Sequence, residues 1–252
     1  MSFWIGLVSG VFGGMVGMGG GVLMIPLMGR FLKLPQHVCH GTSLVAVVFT
    51  GIAGAATYAW FDHVDWTAAL LLAAGAFWPV RAGARLCRTM PERNLRLVFG
   101  LFLVFTSLLL LARPWLFTVT AASARDWTWV AVLLAGGAVT GFLSGLMGVG
   151  GGAFMIAFMV LLAGFEQQSA QGSSLLAMIP LSAIGAWTHW SLGSVKKAVL
   201  PGLIPGILIG TVAGGMAAAF LPEHILRVVF AAVLIVTGIR YFRKAAPACP
   251  DD

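Results

Sequence analysis

Eight stretches of this chain are apolar over about the thickness of a bilayer, and two of them are interrupted by three consecutive glycines. The stretches run approximately over 3–29, 38–60, 66–87, 95–112, 128–164, 169–191, 198–220 and 225–242. About 20 helical residues cross a hydrocarbon core. Inside that core every backbone N–H and C=O needs an internal partner, which helices supply. The fold class that follows is an all-α polytopic membrane protein. Composition agrees, since 60% of the 252 residues are hydrophobic and 9% charged, more apolar surface than a soluble domain of this size can bury. The net charge of +7 does not mark a nucleic-acid surface. The basic residues sit in short clusters between apolar runs, as the positive-inside rule places them. Cys39, Cys87 and Cys249 are odd in number and lack metal-ligand spacing, so neither a disulfide framework nor a metal centre is expected. The opening "MSFWIGLVSG" has no basic n-region and no clear small-residue cleavage site, and reads as a retained membrane segment.

The chain is also two copies of one unit. "GMVGMGGGVLMIPLM" at 14–28 aligns with "GLMGVGGGAFMIAFM" at 145–159, 131 residues further on. The same offset lays "HGTSLVA" (40–46) over "QGSSLLA" (171–177) and "PERNLRLVF" (91–99) over "PEHILRVVF" (222–230). It also pairs Gly54 and Thr57 with Gly185 and Thr188. Shared helix composition accounts for isolated matches, not for one register held without a gap. The expected organisation is a first transmembrane repeat at 1–115, a linker at 116–126, a second repeat at 127–244 and a cytoplasmic tail at 245–252.

Charge decides how the copies lie. If both glycine-broken segments crossed the membrane, lysine and arginine would divide almost evenly between its faces. If each enters and leaves on one face, Arg30, Lys33, Arg81, Arg85, Arg88, Arg93, Arg96, Lys196, Lys197, Arg240, Arg243 and Lys244 all fall inside. Arg113, Arg125 and Arg227 then fall outside, with Asp62, Asp65, Asp126, Glu166 and Glu223. That is the asymmetry the rule expects. No Lys or Arg precedes the first broken segment, so charge speaks for the second; the first is read as re-entrant because it is a copy. Three full crossings per half then make the copies two inverted repeats. Each has a glycine-broken, re-entrant first segment plus three transmembrane helices, and both termini are cytoplasmic.

Non-helical backbone at membrane depth survives where protein or a water-filled cavity surrounds it. About 14 residues before the first break form a half-helix of roughly 21 Å, past mid-depth. After the glycines a second half-helix starts, with free N–H groups and a dipole that attract an anion. Glycine also lets a substrate approach the backbone closely. Gly10, Gly14 and Gly17 follow the small-residue spacing of packed helices, but a consecutive triplet does not. Thr42 and Ser43, with Ser173 and Ser174 in the other copy, put hydroxyls just inside the next helices, where they donate to an oxyanion or bond the preceding turn. His40 and Gln171 precede these pairs. The candidate substrate-binding residues are Gly19, Gly20, Gly21, His40, Thr42, Ser43, Gly150, Gly151, Gly152, Gln171, Ser173 and Ser174.

Thr57 and Thr188 read as helix-packing hydroxyls, and Trp187, His189 and Trp190 as interfacial anchors. The two "PE…LR" elements read as helix starts. All eight carboxylates lie at segment ends or in loops, whereas cation and proton carriers use a buried acid. This points to an anionic or neutral substrate. Histidine, His40 first, is the group available for proton coupling. Arg81 lies somewhat inside a segment and reads as snorkelling to the cytoplasmic face or, alternatively, as lining the anion path. No ATPase motif is present, and scattered histidines with no cysteine cluster argue against an enzyme or electron carrier.

The doubled "GxxxGxGGGxxxxP" element with "GTSL" about 15 residues beyond it resembles the TauE/SafE sulfite-exporter family, also called TSUP. Here it stands as Gly13, Gly17, Gly19, Gly20, Gly21 and Pro26, with Gly41, Thr42, Ser43 and Leu44. The second copy has Gly148, Gly150, Gly151 and Gly152, with Gly172, Ser173, Ser174 and Leu175. Ala157 replaces the second proline, and Ser173 replaces threonine. The resemblance covers nearly the whole chain. It implies a bacterial inner-membrane carrier, with export as the expected direction, of small anions such as sulfite, thiosulfate or sulfoacetate. Alternating access around a midplane site is the mechanism expected of paired repeats; the alternative is a passive anion channel. No cofactor, metal or nucleic-acid partner is expected. The partners are the bilayer and a small anionic substrate, with a homodimer and proton or ion coupling as further expectations.

Overall fold

The computed structural model describes residues 1–87, 127–147, 150–191 and 193–245, with residues 97, 100, 101, 104, 107, 108 and 111 between them. The linker 116–126, the first "PE" element at 91–96, Gly148 and the tail beyond 245 lie outside the described residues. Among the described residues every regular element is helical. The first copy has α1 (Ser2–Val16), α2 (Gly21–Phe31), α3 (Gln36–Trp60) and α4 (Trp66–Cys87). The second has α5 (Trp127–Met147), α6 (Gly152–Leu162), α7 (Gln167–Ser191), a 3-10 turn over Lys197–Val199, α8 (Leu200–Phe220) and α9 (Glu223–Ala245).

By length and apolar composition, Val38–Trp60, Trp127–Ser144 and Lys197–Phe220 are long enough to cross a membrane. α7 is as long as α3, at 25 residues each, but carries Gln167, Gln171, Ser173 and Ser174, all buried. Its polar face is spent inside the protein. Trp4, Trp60, Trp66, Trp127 and Trp187 are exposed near helix ends, where indole rings anchor membrane helices. The chain is a helical membrane protein.

Two pairs of helices pack through glycine onto bare backbone. Carbons added at Gly6, Gly10 and Gly14 of α1 would stand 2.3–2.6 Å from Leu203, Ile207 and Thr211 carbonyl oxygens in α8. The ascending order on both sides makes α1 and α8 parallel. The same packing recurs at the offset of 131, where Gly137 and Gly141 of α5 meet Leu72 and Ala76 of α4. The positive-φ residues pair by the same offset, Gly19 with Gly150, Gly20 with Gly151, Lys33 with Gly164 and Asp62 with Gly193.

At the centre α3 and α7 occupy corresponding places and run antiparallel. Gly41 lies against His189 and Ser194, and Gly54 against Leu175; Gly172 lies against Tyr58 and His63, and Gly185 against Leu44.

The broken segments turn back on themselves. Trp129, early in α5, stacks on Phe165, beyond the end of α6, with ring centroids 6.3 Å apart. Gly136 packs on the Phe158 ring between them. A straight continuation would separate Trp129 from Phe165 by about 50 Å at 1.5 Å per residue. In the first copy, Ile5 shares an apolar cluster with Met24 and Met28 of α2 and with Leu200 and Leu203 of α8. α5 is long enough to span, yet the chain has returned to its starting end by Phe165.

Apart from Arg227, which pairs with Glu223, the loop charges described sort by end. Asp62, Asp65 and Glu166 line one cavity of about 360 Å³. Gln168 beside them reaches the Ala218 and Leu221 carbonyls, just before the Glu223–Arg227 ion pair that opens α9. The opposite end carries Arg30, Lys33, Lys196 and Lys197.

Candidate functional site

Gly17 ends α1 with φ 75° and its N–H on Gly13 O at 2.9 Å. Gly19 (φ 75°) and Gly20 (φ 71°) complete the reversal, and Gly20 immediately precedes α2. In the second copy Gly150 has φ 88° and Gly151, before α6, has φ 76°. An L side chain in this conformation costs roughly 1–2 kcal/mol, so a glycine run lets the chain reverse in so few residues. The reversal leaves the first N–H groups of α2 and α6 without intrahelical acceptors. No side chain caps either helix. Gly19, Gly20 and Gly21 are buried, as are Gly150, Gly151 and Gly152.

The two breaks meet. A carbon on Gly152 would stand 2.9 Å from Gly17 O and 3.1 Å from Met18 Cα. Between Gly19 and Gly150 stands Met178, whose ε-methyl is 2.6 Å from a carbon built on Gly19 and 2.7 Å from one on Gly150. Val47 Cγ1 is 3.0 and 3.4 Å from the same two points. Val47 and Met178 correspond by the offset of 131, as do the two glycines. Ser182 Oγ lies 3.5 Å from the Gly150 point and is buried without a hydrogen-bond partner.

The other expected residues divide. Ser174 Oγ lies 2.8 Å from Gln171 O and 3.2 Å from Gly17 O, so it sits at the first break. Gln171 packs its Cβ and Cγ on Gly17. Tyr58 Oη lies 3.0 Å from Gly14 O and 2.9 Å from the Gln171 amide. One proton cannot serve two acceptors, so Tyr58 donates to Gly14 and the Gln171 amide presents its NH₂ to Tyr58. That orientation also satisfies an otherwise unpartnered Nε2. Thr42 and Ser173 are placed differently. Thr42 Oγ1 accepts the Lys196 N–H at 3.0 Å, and Ser173 Oγ accepts the Asp65 N–H at 2.9 Å. Each fastens a loop of the opposite copy. Ser43 donates to His40 O at 2.9 Å, and His40, half-buried, neighbours the Gly41–His189 contact.

Thr57 and Thr188 bond their own helices, at Ala53 O and Ile184 O. Arg81 is exposed, its guanidinium 4.9 Å from the Phe77 ring and 5.6 Å from the Trp78 ring, away from the breaks. Sequence reasoning missed Val47, Met178 and Ser182. The available signal was helical spacing, since Val47 and Met178 lie one turn beyond Ser43 and Ser174 on the same face, with Ser182 a further turn on.

A family described as "Sulfite exporter TauE/SafE" matches residues 2–241. The chain is similar to "Probable membrane transporter protein YunE" of Bacillus subtilis, 27% identical, with 93% of each chain covered. It is also similar to a "Probable membrane transporter protein" of Xylella fastidiosa (strain Temecula1), 28% identical over 93% of this chain and 90% of the relative. A Methanocaldococcus jannaschii relative, "Probable membrane transporter protein MJ0441", is 27% identical over 72% of this chain and 68% of its own. No solved structure matches. The match across residues 2–241 shows that this chain belongs to the sulfite exporter TauE/SafE family of membrane transporters.

Proposed function

We propose that the protein is a secondary carrier that exports small anions, sulfite or related sulfur oxyanions, sulfonates and carboxylates, across the bacterial inner membrane. The observation that carries this reading is the meeting of the two buried glycine breaks, where Gly19 and Gly150 face one Met178 methyl and each break opens a helix that no side chain caps. Free N–H groups and the positive ends of helix dipoles suit an anion and repel a cation. The Ser174, Gln171 and Ser182 polar groups lie beside that point, and no described carboxylate does. The family description supports both the sulfite end of the substrate class and the outward direction. The antiparallel relation of α3 and α7 and the hairpins at both breaks support inverted halves, each with a re-entrant first segment and three crossings. Rocking of one half against the other would expose the breaks to each face in turn.

A ligand that binds the native state raises its melting temperature. The purified protein is expected to be stabilised by sulfite or a neighbour of it in a screen that also contains thiosulfate, sulfoacetate, taurine and lactate. Stabilisation by none of the anions would sink the reading.

A further inference from the structure

The space between the breaks is filled by this chain itself. Met178 and Val47 are 0% and 1% exposed, and their tips are the atoms nearest to Gly19 and Gly150. The ε-methyl of Met178 is almost equidistant from the two glycine faces, and its sulfur is 2.5 Å from a carbon built on Gly152. One side chain thus covers both glycine faces and the start of α6. An anion seated between Gly19 and Gly150 has to displace that methyl. Methionine has three rotatable bonds and a soft thioether, so its end moves where a β-branched or aromatic residue would not. Val47, stiff at χ1, forms the fixed wall opposite.

Behind the methyl waits a polar group. Ser182 lies two turns beyond Ser174 on α7 and one turn beyond Met178. Its hydroxyl is 1% exposed, has no hydrogen-bond partner, and lies 3.5 Å from the Gly150 point. A buried hydroxyl without a partner costs about 1–3 kcal/mol, which an incoming oxyanion would offset. The corresponding residue of the other copy is Gly51, so the donor is offered from one side alone.

We propose that Met178 and Val47 form the constriction of the anion path and set the size of anion admitted, with Ser182 donating to the anion once the Met178 methyl swings aside. The proposal rests on the anion-carrier reading and gives it a movable seal. The occupant it fits is a small oxyanion with one face of oxygen acceptors.

The test uses the full-length protein in proteoliposomes and compares uptake of sulfite with uptake of the longer sulfoacetate. Met178→Ala is expected to raise the sulfoacetate-to-sulfite ratio about ten-fold, the order of effect that one or two methylenes have in a fitted pocket. Met178→Leu, close in volume, is expected to keep the native ratio. A second readout does not depend on transport: in protein labelled with ¹³C at the methionine methyls, the Met178 resonance, assigned through its loss in Met178→Leu, should shift saturably with sulfite. An unchanged ratio in a folded Met178→Ala protein, or stabilisation by sulfite without movement of the Met178 resonance, overturns the constriction while leaving the carrier reading intact. Absence of stabilisation by any of the anions overturns both.

Discussion

Thr42 and Ser173 show how residues of one type divide between site and scaffold. Each accepts a loop N–H from the other copy, at Lys196 and Asp65. Thr42→Val should therefore lower the melting temperature by the equivalent of about 1–2 kcal/mol, while Thr42→Ser restores it. A Thr42→Val protein of native stability would contradict this role. Ser182→Ala should behave in the opposite sense, raising the ligand-free stability by about 1 kcal/mol or more, since the buried hydroxyl has no partner to lose. The stabilisation by sulfite should fall, and equal stabilisation in both proteins would remove Ser182 from the site. Gly20 is no clean probe, because a carbon there would stand 2.4 Å from Ser9 O; Gly20→Val would damage packing before it touched an anion. The glycine triplets and Ser174 were legible from the sequence, because a polar or helix-breaking residue is conspicuous among aliphatic ones. Val47 and Met178 were not, since apolar residues facing a path look the same as those facing lipid.

At the scale of the helix, glycine has two separable uses here. In α1 and α8 it admits a neighbouring backbone, and a carbon on Gly206 would stand 2.3 Å from Phe3 O. Gly206→Leu should abolish monodisperse protein on size exclusion. Gly29, on the exposed end of α2, has nothing within 4 Å, and Gly29→Ala should raise stability by about 0.5–1 kcal/mol through helix propensity. If both substitutions behaved alike, backbone packing would not be what the α1–α8 glycines serve. The repeat and most helix limits could be read from the sequence because register and apolar length are local properties. The return of α5–α6 to its starting end was readable only through loop charge, since α5 alone has the length and composition of a span. The exchange that packs α1 on α8 and α5 on α4 joins residues some 200 and some 65 positions apart, and no local pattern announces it.

For the whole molecule, the separation of charges and the two hairpins predict a topology. Single cysteines at Asp62 and Gly164, in a background lacking the three native cysteines, should react with an impermeant thiol reagent from one face of the membrane. A cysteine at Gly193 should react from the other. Labelling of Gly164 and Gly193 from the same face would contradict the inverted arrangement. In the proposed carrier Val47 and Met178 separate the two faces at the breaks. Such a carrier would bind its anion at the breaks, saturate and exchange. The most direct measurement is sulfite counterflow in proteoliposomes, with labelled sulfite outside and unlabelled sulfite loaded inside. The arrangement predicts saturable uptake accelerated by the internal sulfite; uptake that rises linearly with concentration and ignores the internal anion, or no uptake at all, would contradict it.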